Sequence, residues 1–191
     1  MIDHTKPNAP PPKQRGQSLP LAALMMPVLV AFVLMAIEVS ERWLQVAMIQ
    51  DALQHATRSA VQQLDYSAFA RNEMGLRATG DCINVTTVGA AGGPCAAVIA
   101  VADQILRTNL RGVRGISGAT PNAAIDAAAA TVRWSVFPNG GTCSVGGRTV
   151  SSPAPDIPLI CAEMRPVMTG IVGWGDFTPL IIAADVLDPA R

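Results

Sequence analysis

The sequence predicts an α+β protein in which a long N-terminal helix, half membrane-spanning and half amphipathic, packs on a small exported domain with a second helix and an antiparallel sheet. Three observations carry that expectation. An uncharged apolar run fills residues 17 to 37, a one-sided helical pattern continues from it to Leu64 with no Gly or Pro between, and the remaining residues mix one more helical period with alternating, turn-bounded runs.

The first element follows from length and charge. Of the 20 residues from Ser18 to Ile37, 17 are Ala, Val, Leu, Ile, Met or Phe, and none from Gln17 to Ile37 is charged. As a helix rising ~1.5 Å per residue, this run spans about 30 Å, the thickness of a bilayer hydrocarbon core. A soluble chain of 191 residues cannot readily enclose a helix that is apolar on every side. A cleavable secretory signal is the rival reading, but its apolar part runs ~7–15 residues and ends in small residues, whereas this run leads into Ile37-Glu38-Val39.

Charge then orients the span. Net charge is zero, from 14 basic and 14 acidic residues, yet Lys6, Lys13, Arg15 and Asp3 give the tail before the span +2, which leaves −2 for residues 38 to 191. Positive residues stay cytoplasmic, so the C-terminal region is expected outside, periplasmic or extracellular, with residues 1–16 as a Pro-rich cytoplasmic tail or leader. Half the residues are hydrophobic and 15% are charged, which excludes a disordered chain. No basic excess exists to follow a phosphate backbone, so nucleic acid is not an expected partner.

Residues 38–65 read as the amphipathic continuation of the helix. Val39, Trp43, Val46, Leu53, Ala60 and Leu64 recur at spacings built from three and four, with Glu41, Arg42, Gln45, Gln50, Asp51, Gln54, Arg58 and Gln62 between them. One continuous helix from about Leu19 to Leu64 is the simplest picture, with Pro20 in its first turn and Pro27 loosening or kinking the span. Pro27 and the stripe Val39, Trp43, Val46, Leu53 and Leu64 are the expected helix-packing residues.

Residues 66–191 read as the exported α+β domain. Val98, Val101, Ala102, Ile105, Leu106 and Leu110 mark a second helix, Gly112, Gly115 and Gly118 a flexible connector, and Ala123 to Ala130 a short helical stretch. Val132, Trp134 and Val136 share one face of a strand, Pro138 to Gly141 makes a turn, and Thr142 to Val150 is expected to return as a shorter strand. Residues 159 to 172 and 180 to 187 are further strands, with Pro166 marking an edge or bulge.

The four cysteines, Cys82, Cys95, Cys143 and Cys161, all follow the span, an even number in an expected oxidising compartment. Three pairings are open. The local ones, Cys82 with Cys95 and Cys143 with Cys161, are favoured. A metal site is not expected, because no C-x-x-C occurs and the only histidines, His4 and His55, lie on other segments. No nucleophile–base pattern, H-E-x-x-H or phosphate loop is present, so neither an enzyme nor a cofactor is expected.

The junction before the span is more specific. Arg15-Gly16-Gln17-Ser18 sets a basic residue and a glycine immediately before the apolar run, a Met-Pro-Val lies within it, Glu38 closes it, and a Gln- and Ala-rich helix follows from Leu44 to Ala60. These residues resemble the N-terminal region of TadE/TadG-like proteins of tight-adherence (Tad, or Flp) type IV pilus assembly. The resemblance covers about 50 of the 191 residues. It implies a pilin-like fold and a structural, non-catalytic role as a minor pseudopilin or a pilus assembly or anchoring factor. Implied partners are the lipid bilayer, other pilins contacting the N-terminal helix, and a prepilin peptidase that cuts between Gly16 and Gln17. Leu21 stands where such pseudopilins usually carry a glutamate, so retention of residues 1–16, as in TadG-like members, stands beside cleavage. The alternative function is an accessory subunit that docks on a larger membrane complex and stabilises it.

Overall fold

The first helix, α1 (Ser18–Val61), runs unbroken through Pro27 in the computed structural model, which describes residues 18–71, 75–170 and 175–187. It ends three residues before the expected Leu64, which instead forms an antiparallel bridge with Leu76. Internal contacts divide the chain into two units, Met1–Val39 and Ser40–Arg191. In the first, every side chain from Ala22 to Ile37 is exposed, while Glu38 is buried.

The second unit is α+β. After α1 come α2 (Tyr66–Phe69), β1 (Cys82–Val85), α3 (Ala96–Leu110), α4 (Pro121–Ala130), β2 (Arg133–Phe137), β3 (Thr142–Val145), β4 (Arg148–Ser151), β5 (Leu159–Met164), β6 (Met168–Thr169), β7 (Asp176–Phe177) and β8 (Ile181–Val186). The main sheet has the order β1-β2-β5-β8 with every neighbour antiparallel. Alternation assigns its two faces. Trp134, Val136, Ile160, Ala162, Met164, Ile181 and Ala183 pack with α1, α3 and α4 in one core. Phe137, Leu159 and Cys161 turn to the other face, where Cys143 and Val145 of β3 cover them. β5 is therefore buried on both sides, which is why its sequence reads as a nearly continuous apolar run.

Local chemistry explains the boundaries. α4 starts at Thr120, whose Oγ1 accepts from the Ala123 N–H at 3.2 Å, and Pro121 occupies its first turn, where no N–H is needed. β5 stops at Met164, before Pro166 can interrupt its ladder, so this proline separates β5 from β6 instead of marking an edge or bulge. β1 is one of the two edge strands and carries the irregularity. Cys82 faces Val136 and Val85 faces Trp134, which leaves one extra residue on β1. Asn84 adopts φ 53°, and its N–H is satisfied by Ser135 Oγ at 3.0 Å.

Two expectations are corrected here. Thr142 to Val150 does not return along β2 as one strand; it folds on itself as the β3–β4 hairpin, with Val145 opposite Arg148. The two residues between them, Gly146 and Gly147, have φ 56° and 74°, the positive pair a tight hairpin turn demands. Gly115 and Gly118 are not a loose connector but points of close approach. A Cβ at Gly118 would lie 2.5 Å from the Ala124 backbone, and one at Gly115 2.5 Å from Gln45 Nε2.

Candidate functional site

The candidate site is α1 itself, because its two halves bury such different things. The half before Val39 is long and apolar enough to cross a membrane, and almost none of its surface is covered by protein. The half from Gln45 to Val61 is core: Gln45, Ile49, Ala52, Leu53, Ala56, Thr57, Ala60 and Val61 are all buried. At 100° per residue, roughly, these fall within about half the helix circumference.

The expected packing stripe is only partly this one. Leu53 is fully buried, Val46 and Leu64 are partly so, and Pro27, Val39 and Trp43 are exposed, Trp43 to 75%. Val39 and Val46 share the phase of the buried side, and Trp43 lies at its margin, toward the exposed side. Continuous burial of apolar side chains along this side starts only beyond Gln45, so Val39 and Trp43 of the expected stripe lie outside the core. Gln45, read as polar surface, is instead buried against Gly115, and its Oε1 has no hydrogen-bond partner among the described residues. The signal for this seam was the row of alanines at 52, 56 and 60, whose small side chains let the helix approach the sheet closely.

Polar contacts fix the same helix on the sheet. Thr57 Oγ1 donates to Asp185 of β8 or to the Leu53 and Gln54 carbonyls, at 3.2 and 3.0 Å, and Arg58 Nε lies 3.8 Å from Asp185. Arg42 stacks its guanidinium 4.7 Å above the Phe177 ring. Arg42, Trp43, Val46 and Phe177 line an open apolar cleft of about 220 Å³.

A second polar network holds α3 and α4. Trp134 Nε1–H donates to Thr87 Oγ1 at 3.2 Å, Thr87 donates to Asp103 Oδ1 at 3.1 Å, and Arg107 Nε donates to Asp103 Oδ2 at 2.6 Å. Arg107 Nη1 also pairs with Asp126 of α4. The hydrogen bond to Asp103, ahead of the charge on Asp126, holds the Arg107 guanidinium's pKa above its ordinary value. Trp134, Thr87, Asp103, Arg107 and Asp126 thus satisfy one another in a single chain of contacts that locks α3 to α4 and to the sheet.

The cysteines form two bridges, Cys82–Cys95 with Cα atoms 6.3 Å apart and Cys143–Cys161 with 6.6 Å. Their presence fits an oxidising, extracytoplasmic environment. No group of three or more metal-ligating side chains occurs among the described residues, and His55 faces outward on α1 with Asp51 at 3.5 Å. The cleavage pair Gly16 and Gln17 lies outside the described residues. Comparison of the chain with protein-family models, curated proteins and solved structures finds no match.

Proposed function

We propose that the chain is a single-pass, non-catalytic structural protein of a Tad/Flp-type pilus, a minor pseudopilin or an assembly and anchoring factor working through packing of α1. The observation that carries this reading is the division of one helix into a bare apolar half and a half that is the core of a disulfide-bonded α+β unit. Such an element couples a membrane, or the packed centre of a filament, to a folded domain. The basic residues before the span support a cytoplasmic N-terminus and an extracytoplasmic domain. The Arg15-Gly16 junction supplies the pilin-like part of the reading.

Mass spectrometry of the protein extracted from membranes tests it. An N-terminus at Gln17 supports processing by a prepilin peptidase, and an intact Met1 supports a retained, TadG-like anchor. A start beyond Ile37 overturns the anchor. Co-purification then separates roles: pilus or secretion components support the proposal, and a stoichiometric bioenergetic or transport complex overturns it in favour of an accessory subunit.

A further inference from the structure

The side of α1 turned away from the core carries its own pattern just past the span. Trp43, Leu44 and Met48 are 75%, 57% and 40% exposed, and Ala47 beside them is exposed as well. The spacing 43, 44, 47, 48 gathers these residues on one side, opposite Ile49, Leu53 and Ala56 of the core. The polar residues Asp51, Gln54, His55 and Arg58, all exposed, bring the patch to an end. It is therefore short, one-sided and bounded. Arg42 and Phe177, stacked at 4.7 Å, wall one flank of Trp43 without covering its ring.

We infer that Trp43, Leu44 and Met48 form a seat on the bilayer surface, with Trp43 and Leu44, nearest the span, where acyl chains meet headgroups and Met48, about a turn further along the helix, among the headgroups. The inference rests on the reading of residues 17–37 as a membrane span. Continuity with that span selects the occupant: Trp43 follows Ile37 by six residues, ~9 Å of helix, so it cannot leave the neighbourhood of the membrane surface. The chemistry agrees. An indole has a large apolar body and one N–H, which suits the interface between hydrocarbon and water, and tryptophan is enriched there. A protein partner is the weaker fit, because three large side chains cover well under the ~800 Å² per partner that a stable protein interface needs.

The test uses the full chain in phosphatidylcholine vesicles whose acyl chains carry bromine, which quenches only tryptophans in contact with lipid. The protein has three tryptophans, and the comparison is between the native chain and Trp43→Phe, so signals from Trp134 and Trp174 cancel in the difference. Because Trp43 lies outside the core, the variant keeps the native melting temperature, which is checked first. Quenching of the native protein that is mostly lost in Trp43→Phe supports the seat. Protein that floats with the vesicles while the difference signal stays unquenched overturns it and leaves the span standing; cross-linking of position 43 to a second copy would identify the occupant as protein. Failure to float with vesicles overturns the seat and the span together.

Discussion

The two halves of α1 share one backbone and one helical period, yet the more apolar half is the one that protein leaves bare. Residues 22 to 37 expose Leu, Val, Met and Phe on every side, whereas residues 45 to 61 bury a glutamine, a threonine and four small or β-branched residues beside Ile49 and Leu53. Hydropathy alone would assign the core to the wrong half. What separates them is periodicity: an all-round apolar surface needs a solvent of its own kind, while a one-sided surface needs a sheet to lie on.

Truncating one leucine in each half separates the two surfaces most strongly. Leu53→Ala should cost the domain about 2–5 kcal/mol, because it opens a cavity where the side chain is fully buried. Leu29→Ala, 61% exposed, should leave domain melting within about 0.5 kcal/mol. Thermal unfolding in detergent reads both, and equal losses would mean that the first half is also protein core. The converse change is Val30→Arg, which should cost about 3 kcal/mol of membrane partitioning, seen as lost vesicle flotation, with the domain melt unchanged.

Smaller effects sharpen what holds the second half's domain together. Replacing Cys82 and Cys95 by serine removes a cross-link over a 13-residue separation and should lower stability by about 3 kcal/mol, measured by denaturant titration. Asp103→Ala should cost about 1–3 kcal/mol, since it leaves Thr87 and Arg107 without their shared acceptor. The smallest effect belongs to Asp65. Hydrogen bonds from the Ser67 hydroxyl and N–H hold its carboxylate's pKa below the ordinary value. A depressed folded-state pKa means its stabilisation is present above the unfolded value and lost as pH falls through the folded one. Protection of the α2 amides, taken relative to their intrinsic exchange rate at each pH, should therefore fall in acid, and Asp65→Ala should remove that acid dependence.

Much of this fold was legible in the sequence, and the parts that were not have physical reasons. The apolar run of α1, the heptad-like spacing in α3 and the alternation of Val132, Trp134 and Val136 are strong periodic signals, and each marks an element that the structure contains. β1 escaped because it has four residues and a bulge at Asn84, too short and too irregular to alternate. The β3–β4 pairing was missed because the turn at Gly146-Gly147 closes locally, ahead of any longer return to β2. On α1, the seam of Ala52, Ala56 and Ala60 carries little hydropathy and was eclipsed by the larger Val39 and Trp43, which share the helix but lie past the end of the core. The surface patch at Trp43 was in plain view as residues; only their exposure shows that the domain leaves them uncovered.

Both disulfides lie beyond residue 81, and neither joins α1 to the sheet. A pull along this helix is thus resisted by side-chain packing and by the Thr57 and Arg58 contacts to Asp185, with no covalent link sharing the load. If the helix were drawn away, the chain would lengthen through residues 62 to 81 and then meet Cys82, where the bridge to Cys95 hides the intervening segment from tension; the bridge from Cys143 to Cys161 does the same further on. The disulfide-bonded unit is in effect a pre-tied knot on a rope whose nearest splice has no stitch through it, and under strain the attachment would yield before the parts that the cross-links enclose.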